Sequence, residues 1–284
     1  MTLKIGSAFS GYAGLDEAVK RTFDSEVVWN SEIDPHASAI LRNLDPEVPN
    51  LGDITAIDWA TVDPIDIFTA GYPCQPFSGA GKREGVNDPR HLWPHVRKAI
   101  RALHPKLVIL ENVVGHLSLG FDTVLGEMAE DGLSARWCCV RASDVGAPHM
   151  RDRLFIVAFP GASPPDSAGF RFQARQLPVN TEEKFAVSDY DVGAFPDFDG
   201  RGAALAHWAS VIGVPIPRVV EPRPDGKDVR LSPRFAEWVM GVTDGRVSSA
   251  PIPYSAMIKA VGNGVCPQQA EFALRHLLPE LEAK

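Results

Sequence analysis

The sequence predicts an α/β protein whose functional site lies at the carboxyl edge of a sheet, and three features of the chain indicate this fold. Short apolar runs typical of buried strands alternate with helical patterns between residues 3 and 159. Two glycines, Gly11 and Gly14, lie in the turn between the first strand and the first helix. Acidic residues such as Glu32 and Glu111 directly follow later strands. Ligands of open α/β sheets bind at this edge, beside such turns.

The individual elements are predicted from apolar runs, helical periodicity and the positions of glycine and proline. The predicted strands cover residues 3–9, 26–31, 65–70, 106–110, 135–141 and 154–159, and the predicted helices cover residues 17–23, 92–103, 203–211, 231–241 and 267–278. Between residues 160 and 230 the chain is rich in Pro, Gly, Asp and Arg, with little periodicity. We therefore expect a main domain, 1–160 and 231–284, interrupted by a small region at 161–230.

The composition is that of an ordinary soluble globular protein. The 284 residues are 45% hydrophobic and 23% charged. No apolar run is long enough to span a bilayer, and the N-terminus lacks a charged region followed by an apolar core, so we expect a cytoplasmic protein without a membrane partner. The four cysteines show neither CxxC nor zinc spacing, which predicts free thiols and no metal: Cys74, Cys138, Cys139 and Cys266.

Charge is unevenly distributed along the chain. The net charge is −8, which argues against an extended electrostatic grip on nucleic acid. Residues 82–106, however, contain seven Lys or Arg against two acids. Such a run is either a solvated helix face or a surface that contacts phosphates.

Cys74 lies in a stiff loop directly after a predicted buried strand. Pro73 and Pro76 flank it closely, and proline restricts its own φ and the conformation of the residue before it. A rigidly aimed thiol at the carboxyl edge of a sheet suits a nucleophile. The alternative is a tight turn that contains an incidental cysteine.

Acids and arginines at other strand ends are further candidates. Glu32 follows the turn glycines by about twenty residues, the spacing at which an acid binds ribose hydroxyls, and Asp34 and Asp53 lie near strand ends as well. Each could instead cap a helix. Glu111 follows an apolar strand, so its desolvated carboxyl suits general-acid work or caps the next turn. The stretch 146–153 places two arginines, at positions 151 and 153, beside the cysteine loop.

Six short stretches in this order resemble the DNA cytosine-5 methyltransferase family. They are Phe9-Ser10-Gly11-Tyr12-Ala13-Gly14, Pro73-Cys74-Gln75, Glu111-Asn112-Val113, His149-Met150-Arg151-Asp152-Arg153, Leu231-Ser232-Pro233-Arg234 and Gly262-Asn263-Gly264-Val265. The resemblance covers residues 3–159 and 231–278. Two positions depart from the family pattern: His149 stands where glutamine is usual, and Gly264 where serine is common.

The resemblance implies a Rossmann-like sheet that binds S-adenosylmethionine, with a small target-recognition domain inserted before the last helix. It assigns the cofactor to Phe9, Gly11, Gly14, Glu32, Ile33, Asp53, Ile54, Gly71, Leu92, Asn263 and Val265. It assigns catalysis to Cys74, Glu111, Arg151 and Arg153. The turn with two glycines fits a cofactor that carries no phosphate.

The function implied is methyl transfer to C5 of cytosine in double-stranded DNA, through a covalent bond from Cys74 to C6 of a flipped base. The cationic segment after Cys74 is then expected to contact phosphates around that base. We expect a monomer, with a cognate restriction endonuclease as a candidate partner. Two alternatives stay open: a cytosine-5 methyltransferase that acts on tRNA, and a catalytically silent DNA-binding homologue.

Overall fold

The computed structural model describes residues 2–73, 92–162 and 202–279. The strands are β1 Leu3–Ala8, β2 Ser25–Ser31, β3 Ile67–Ala70, β4 Leu107–Val113, β5 Leu133–Arg141, β6 Asp152–Pro160, β7 Val220–Pro222 and β8 Val229–Leu231. The helices are α1 Gly14–Thr22, α2 Pro35–Leu44, α3 Trp93–Leu103, α4 Phe121–Glu130, α5 Gly202–Ile212, α6 Pro233–Val239, α7 Tyr254–Asn263 and α8 Pro267–Leu277. The predicted nucleophile Cys74, the cations Lys82, Arg83 and Arg90, and residues 163–201 of the predicted recognition region lie outside the described residues.

Six strands form one sheet in the order β2-β1-β3-β4-β6-β5. The first four are mutually parallel, whereas β6 pairs antiparallel with both β4 and β5. The loops after β1, β2, β3 and β4 therefore meet at one edge of the sheet. The predicted α/β fold and all six predicted strands of this sheet are confirmed.

The two faces of the sheet are covered by different helices. On one face α1 and α8 pack together, burying Phe23 and Leu274 against the strands. On the other face α3 and α4 bury Trp93 and Phe121. Apolar positions on both faces explain why the central strands β3 and β4 are almost continuously hydrophobic.

A third apolar cluster joins α5, α6 and the segment that leads into α7. Trp208 of α5 is fully buried there, and its indole N–H donates to the carbonyl of Trp238 at 2.9 Å. The helices predicted near residues 203–211, 231–241 and 267–278 are thus present. The antiparallel pair of β7 and β8, closed by Arg230 and Glu221 at 2.7 Å, was not predicted.

Helices α2, α4 and α7 were also not predicted, and α2 changes the interpretation of one acid. Asp34 caps α2, because its Oδ1 accepts from the main-chain N–H groups of His36 and Ala37 at 2.8 and 3.1 Å. Pro35 occupies the first helical position, where it has no N–H to satisfy. The helix cap is therefore observed for this acid, and Asp34 also lines the cleft at the carboxyl edge of the sheet.

Two residues of the cationic segment 82–106, Arg97 and Lys106, bind acids of the protein itself. Arg97 bonds Asp131 through two nitrogens at 2.7 and 2.9 Å, and it lies within 3.0 Å of both Glu127 and Glu130. Lys106 pairs with Asp66 at 2.8 Å. These two positive charges are paired with acids of the protein itself, and Arg97 is the more firmly held of the two.

Across residues 2–73, 92–162 and 202–279, no helix has the length and apolar character needed to cross a membrane. Within the same ranges, no group of three His, Cys, Asp or Glu side chains is arranged to hold a metal ion.

Candidate active site

A cleft of about 640 Å³ opens at the carboxyl edge of the parallel strands. The loops after β1 to β4 form its floor and one wall, and the connection between α7 and α8 forms the opposite wall. Most of the residues singled out from the sequence line it together: Phe9, Gly11, Gly14, Glu32, Ile33, Gly71, Leu92, Glu111, Arg151, Arg153, Asn263 and Val265.

The turn between β1 and α1 has an unusual backbone. Phe9, Gly11 and Ala13 have φ values of 54°, 57° and 62°. Residues other than glycine seldom adopt this left-handed region, and such strain concentrates at ligand sites. The turn exposes its main-chain groups to the cleft, and the N–H of Gly11 donates to Glu32 Oε2 at 3.0 Å.

Glu32 is fixed at the end of β2 by bonds from the main chain. Its other oxygen, Oε1, accepts from the N–H of Asp34 at 2.9 Å. An ionised carboxylate offers about four acceptor positions, so roughly two remain for the hydroxyls of a ribose. The next residue, Ile33, leaves 68% of its surface exposed in the cleft and offers an apolar face to a base.

The floor of the cleft contains a buried acid that the sequence analysis missed. Asp16 of α1 is 1% exposed and accepts from the hydroxyls of Ser7 at 2.8 Å and Thr69 at 2.6 Å. Burial raises the pKa of Asp16, and the two hydroxyls oppose the shift. The carboxyl links β1, β3 and α1 directly below the turn, so it stabilises the shape of the cleft.

The far end of the cleft contains the predicted acid and arginine in contact. Glu111 lies within β4 and is 8% exposed, and its Oε1 is 2.9 Å from Nε of Arg153 at the start of β6. Burial raises the pKa of Glu111, and the nearby Arg153 and Arg151 charges offset the shift only in part. A carboxyl in this state is suited to donate a hydrogen bond to a ring nitrogen.

The chain leading to Cys74 is held by two side chains. Asn112 donates from Nδ2 to the carbonyl of Tyr72 at 3.1 Å. The hydroxyl of Tyr72 lies 2.8 Å from Nε2 of buried His116, whose Nδ1 faces the carbonyl of Leu119 at 2.9 Å. Because a carbonyl only accepts, Nδ1 carries the proton and Nε2 accepts from Tyr72. Pro73 lines the cleft and is the last described residue before the predicted nucleophile.

Two predicted cofactor residues do not line the cleft. Ile54 is 5% exposed and packs in the hydrophobic core with Trp29 and Trp59. Asp53 turns back on its own loop, where its Oδ1 accepts from the N–H of Thr55 at 2.9 Å. The Asp53 and Ile54 side chains are therefore not among those that line the cleft, and a cofactor role for the two residues stays a prediction.

The two departures from the family pattern have local explanations. His149 Nε2 bonds the carbonyl of Val239 at 3.2 Å, so it ties the segment before β6 to the end of α6. A Cβ at Gly264 would overlap the ring of Tyr12, which fills the space a serine would need. Tyr12 was not singled out from the sequence, because its contact depends on a residue about 250 positions away.

These residues fit S-adenosylmethionine. A nucleoside without phosphates needs no full GxGxxG turn, and this turn instead offers a fixed main chain beside Glu32. The exposed Ile33 suits an adenine face, and Asn263 lines the wall opposite the turn. The donor set thus matches a phosphate-free nucleoside.

Comparison with known proteins agrees with this geometry. The family model for C-5 cytosine-specific DNA methylases matches residues 3–197. The chain is 31% identical over 191 residues to the type II methyltransferase M1.ScrFI of Lactococcus lactis subsp. cremoris, covering 66% of this chain and 48% of that protein. It is 31% identical over 201 residues to the type II methyltransferase M.NlaX of Neisseria lactamica, covering 66% and 63%.

The fold has a match along nearly the whole chain. The crystal structure of the S. pombe Dnmt2 methyltransferase superimposes with a TM-score of 0.68 at 17% identity, covering 98% of this chain and 99% of that chain. At that identity the likeness concerns the fold. By sequence, the chain spans about half the length of the curated relatives it matches.

Proposed function

Because the chain belongs to the C-5 cytosine-specific DNA methylase family, we propose that it transfers a methyl group from S-adenosylmethionine to C5 of cytosine in double-stranded DNA. The observation that carries this proposal is the contact between Glu111 and Arg153, buried at one end of the cleft that also contains the Gly11–Glu32 turn. One end of the cleft would hold the cofactor and the other the cytosine. When bound, the cofactor supplies an electrophilic methyl group.

The cofactor would be held by the turn after β1, by Glu32 and Ile33, and by Asn263 on the opposite wall. Gly71 and Leu92 would border the same space. Asp53 and Ile54 are proposed only as support for the loop beside Glu32, since neither lines the cleft.

The residues at the cytosine end divide the work between them. The Cys74 thiolate would add to C6, which makes C5 nucleophilic and moves negative charge onto N3 and O2 of the ring. Glu111, whose pKa burial raises, would donate a hydrogen bond or a proton to N3. Arg153 would hydrogen-bond O2. Once C5 carries the methyl group, loss of the C5 proton to a base, return of any N3 proton to Glu111 and departure of the Cys74 sulphur from C6 would restore the ring and the free thiolate.

C5 and C6 are stacked inside a duplex, so the cytosine must be flipped out at a cost of a few kcal/mol. We propose that residues 161–230 act as the target-recognition region, and that residues 1–160 and 231–284 form the catalytic domain. Helix α5 belongs to this region, and its Trp208 attaches it to the catalytic domain by packing beside α6 and bonding the carbonyl of Trp238. Relatives carry the description type II methyltransferase, so a cognate restriction endonuclease is the partner to look for.

The test compares Cys74→Ala with Cys139→Ala, which removes an exposed thiol on the edge strand β5 that does not line the cleft. Cys74→Ala should abolish methyl transfer and leave cofactor binding intact, whereas Cys139→Ala should behave as wild type. Duplex DNA that contains 5-fluorocytosine should form a covalent adduct with wild type and none with Cys74→Ala, because fluorine at C5 cannot leave as a proton. Full turnover by Cys74→Ala would refute the mechanism. Methylation of total tRNA in preference to duplex DNA would establish the tRNA alternative.

A further inference from the structure

Residues 262–265, the end of α7 and the start of its connection to α8, are fastened through four consecutive carbonyl oxygens and are called the 262–265 loop. Arg151 donates from Nη1 to Gly262 at 2.8 Å, and from Nη2 to Asn263 at 3.3 Å and Gly264 at 2.6 Å. The hydroxyl of Tyr12 donates to Val265 at 2.6 Å. Two side chains from distant parts of the sequence thus occupy the whole exposed row of acceptors.

Close contacts with α1 and with Tyr12 restrict the 262–265 loop to one position. A Cβ at Gly14 would overlap the carbonyl oxygen of Val265, and a Cβ at Gly264 would overlap the ring of Tyr12. The loop backbone therefore presses directly against α1 and the turn before it. Its fixed position sets where Asn263 and Val265 face the cleft.

Arg151 has little capacity left for a ligand. A guanidinium carries five N–H donors, and three of the bonds that these donors make go to the loop. Its Nε is enclosed, with no partner among the described residues. Its own carbonyl accepts from Nε2 of Gln269 on α8 at 2.9 Å, which holds the main chain as well.

Arg151 and Arg153 thus bind different partners, although only one residue separates them and the charges of both lie near Glu111. Arg153 contacts Glu111, whereas Arg151 contacts the wall formed by residues 262–264. The resemblance assigned catalysis to both arginines. The contacts of Arg153 with Glu111 fit that role, whereas those of Arg151 with residues 262–264 do not require it.

We propose that Arg151 is a positioning residue: it shapes the cofactor end of the cleft by holding the loop 262–265, and it does not contact the cytosine. This proposal rests on the proposed function for its cofactor. Its structural part, the seating of the loop, is independent of that function and can be measured in the protein without any ligand.

The experiment uses Arg151→Lys and Arg151→Met, with Arg153→Met for comparison. In the ligand-free protein, hydrogen exchange at the amide of Gly264, which bonds the carbonyl of Ala260 at 3.0 Å, should accelerate by about tenfold or more in Arg151→Met, since three bonds to a charged donor are lost. The dissociation constant for S-adenosylmethionine, measured by calorimetry, should rise by about 10- to 100-fold. Arg151→Lys should lie between wild type and Arg151→Met, because one ammonium can replace only part of a planar fork.

The kinetic split separates positioning from catalysis. With saturating cofactor, the single-turnover rate of Arg151→Met should stay within about threefold of wild type, whereas that of Arg153→Met should fall by more than about 100-fold at an unchanged cofactor constant. The proposal is overturned if Arg151→Met leaves exchange and cofactor affinity unchanged while the single-turnover rate collapses.

Two further results keep the outcome interpretable. Tyr12→Phe removes only the bond to Val265, so it should also raise the dissociation constant for S-adenosylmethionine, but by less than Arg151→Met does. If Arg151→Met does not fold, the results for Arg151→Lys and Tyr12→Phe test the proposal in its place. If wild type itself binds no S-adenosylmethionine, the proposed function fails, and hydrogen exchange alone decides whether Arg151 seats the loop.

Discussion

Replacement of Gly264 by alanine tests how tightly the loop and Tyr12 fit together. Gly264 has φ −76°, a conformation open to any L-residue, so alanine introduces no backbone strain there. The added methyl would overlap the Tyr12 ring, which is 1% exposed and has no room to withdraw without disturbing the core. The cost of Gly264→Ala therefore begins with a steric overlap and involves no backbone strain.

The size of the effect follows from two losses. Overpacking of a well-packed site costs about 1–3 kcal/mol. Displacement of the Tyr12 ring also breaks its 2.6 Å bond to Val265, which removes about 1 kcal/mol more. We expect Gly264→Ala to lower the free energy of unfolding by about 2–4 kcal/mol.

Gly262 provides a matched control two residues away. A Cβ there meets no atom within 4 Å, so Gly262→Ala should be neutral or should stabilise α7 by about 0.5–1 kcal/mol. Both free energies come from equilibrium unfolding in urea without cofactor. Equal stability of the two variants would refute the close contact between Gly264 and Tyr12. Adding Tyr12→Leu to Gly264→Ala should recover part of the loss, as a coupling of about 1 kcal/mol or more.

Two other predictions concern charge. Arg97→Gln should lower the free energy of unfolding by about 1–2 kcal/mol, because it removes an ion-pair network between α3 and α4, and it should leave the salt dependence of DNA binding unchanged. Arg101→Gln, a 64% exposed partner 3.7 Å from Asp131, is its control and should change stability by less than about 0.5 kcal/mol; a flatter salt slope for Arg97→Gln would instead assign Arg97 to phosphates. Burial lowers the pKa of His116 below its ordinary value of 6.5. As the pH falls, the unfolded chain therefore binds a proton at this residue before the folded protein does. The stability that neutral His116 contributes above pH 6.5 is thus lost as the pH falls toward the lowered pKa. Unfolding curves measured against pH should therefore fall less steeply below pH 6.5 in His116→Gln than in wild type, and parallel curves would contradict this assignment.

The sequence predicts the framework well because the framework is local. Buried strands are predicted by apolar runs, and the structure places Glu111 directly after such a run in β4. The spacing of the glycine turn and the acid after β2 suggested that the two belong together, and the structure joins them through the 3.0 Å bond from Gly11 to Glu32. Short motifs that require a particular backbone conformation can therefore be predicted from the sequence.

What the sequence could not predict depends on contacts between distant segments. Tyr12 and Gly264 form one fitted pair across the length of the chain, and neither residue indicates the other. Asp34 satisfied the pattern of a ligand acid and of a helix cap equally well. Ile54 was assigned by resemblance, but the path of a loop decides whether an apolar side chain faces a cleft or the core.

The reversed direction of β6 decides which part of the chain supplies the arginine. In register, Val113 of β4 faces Arg153 of β6, so the beginning of one strand adjoins the finish of the other. Had β6 run parallel to β4, its first residues would lie at the opposite edge of the sheet, roughly 20 Å from Glu111. The guanidinium therefore comes from the start of its strand, whereas Glu111 comes from near the end of its strand and Glu32 directly follows its own. A search of related chains that inspects only residues downstream of apolar runs will overlook it.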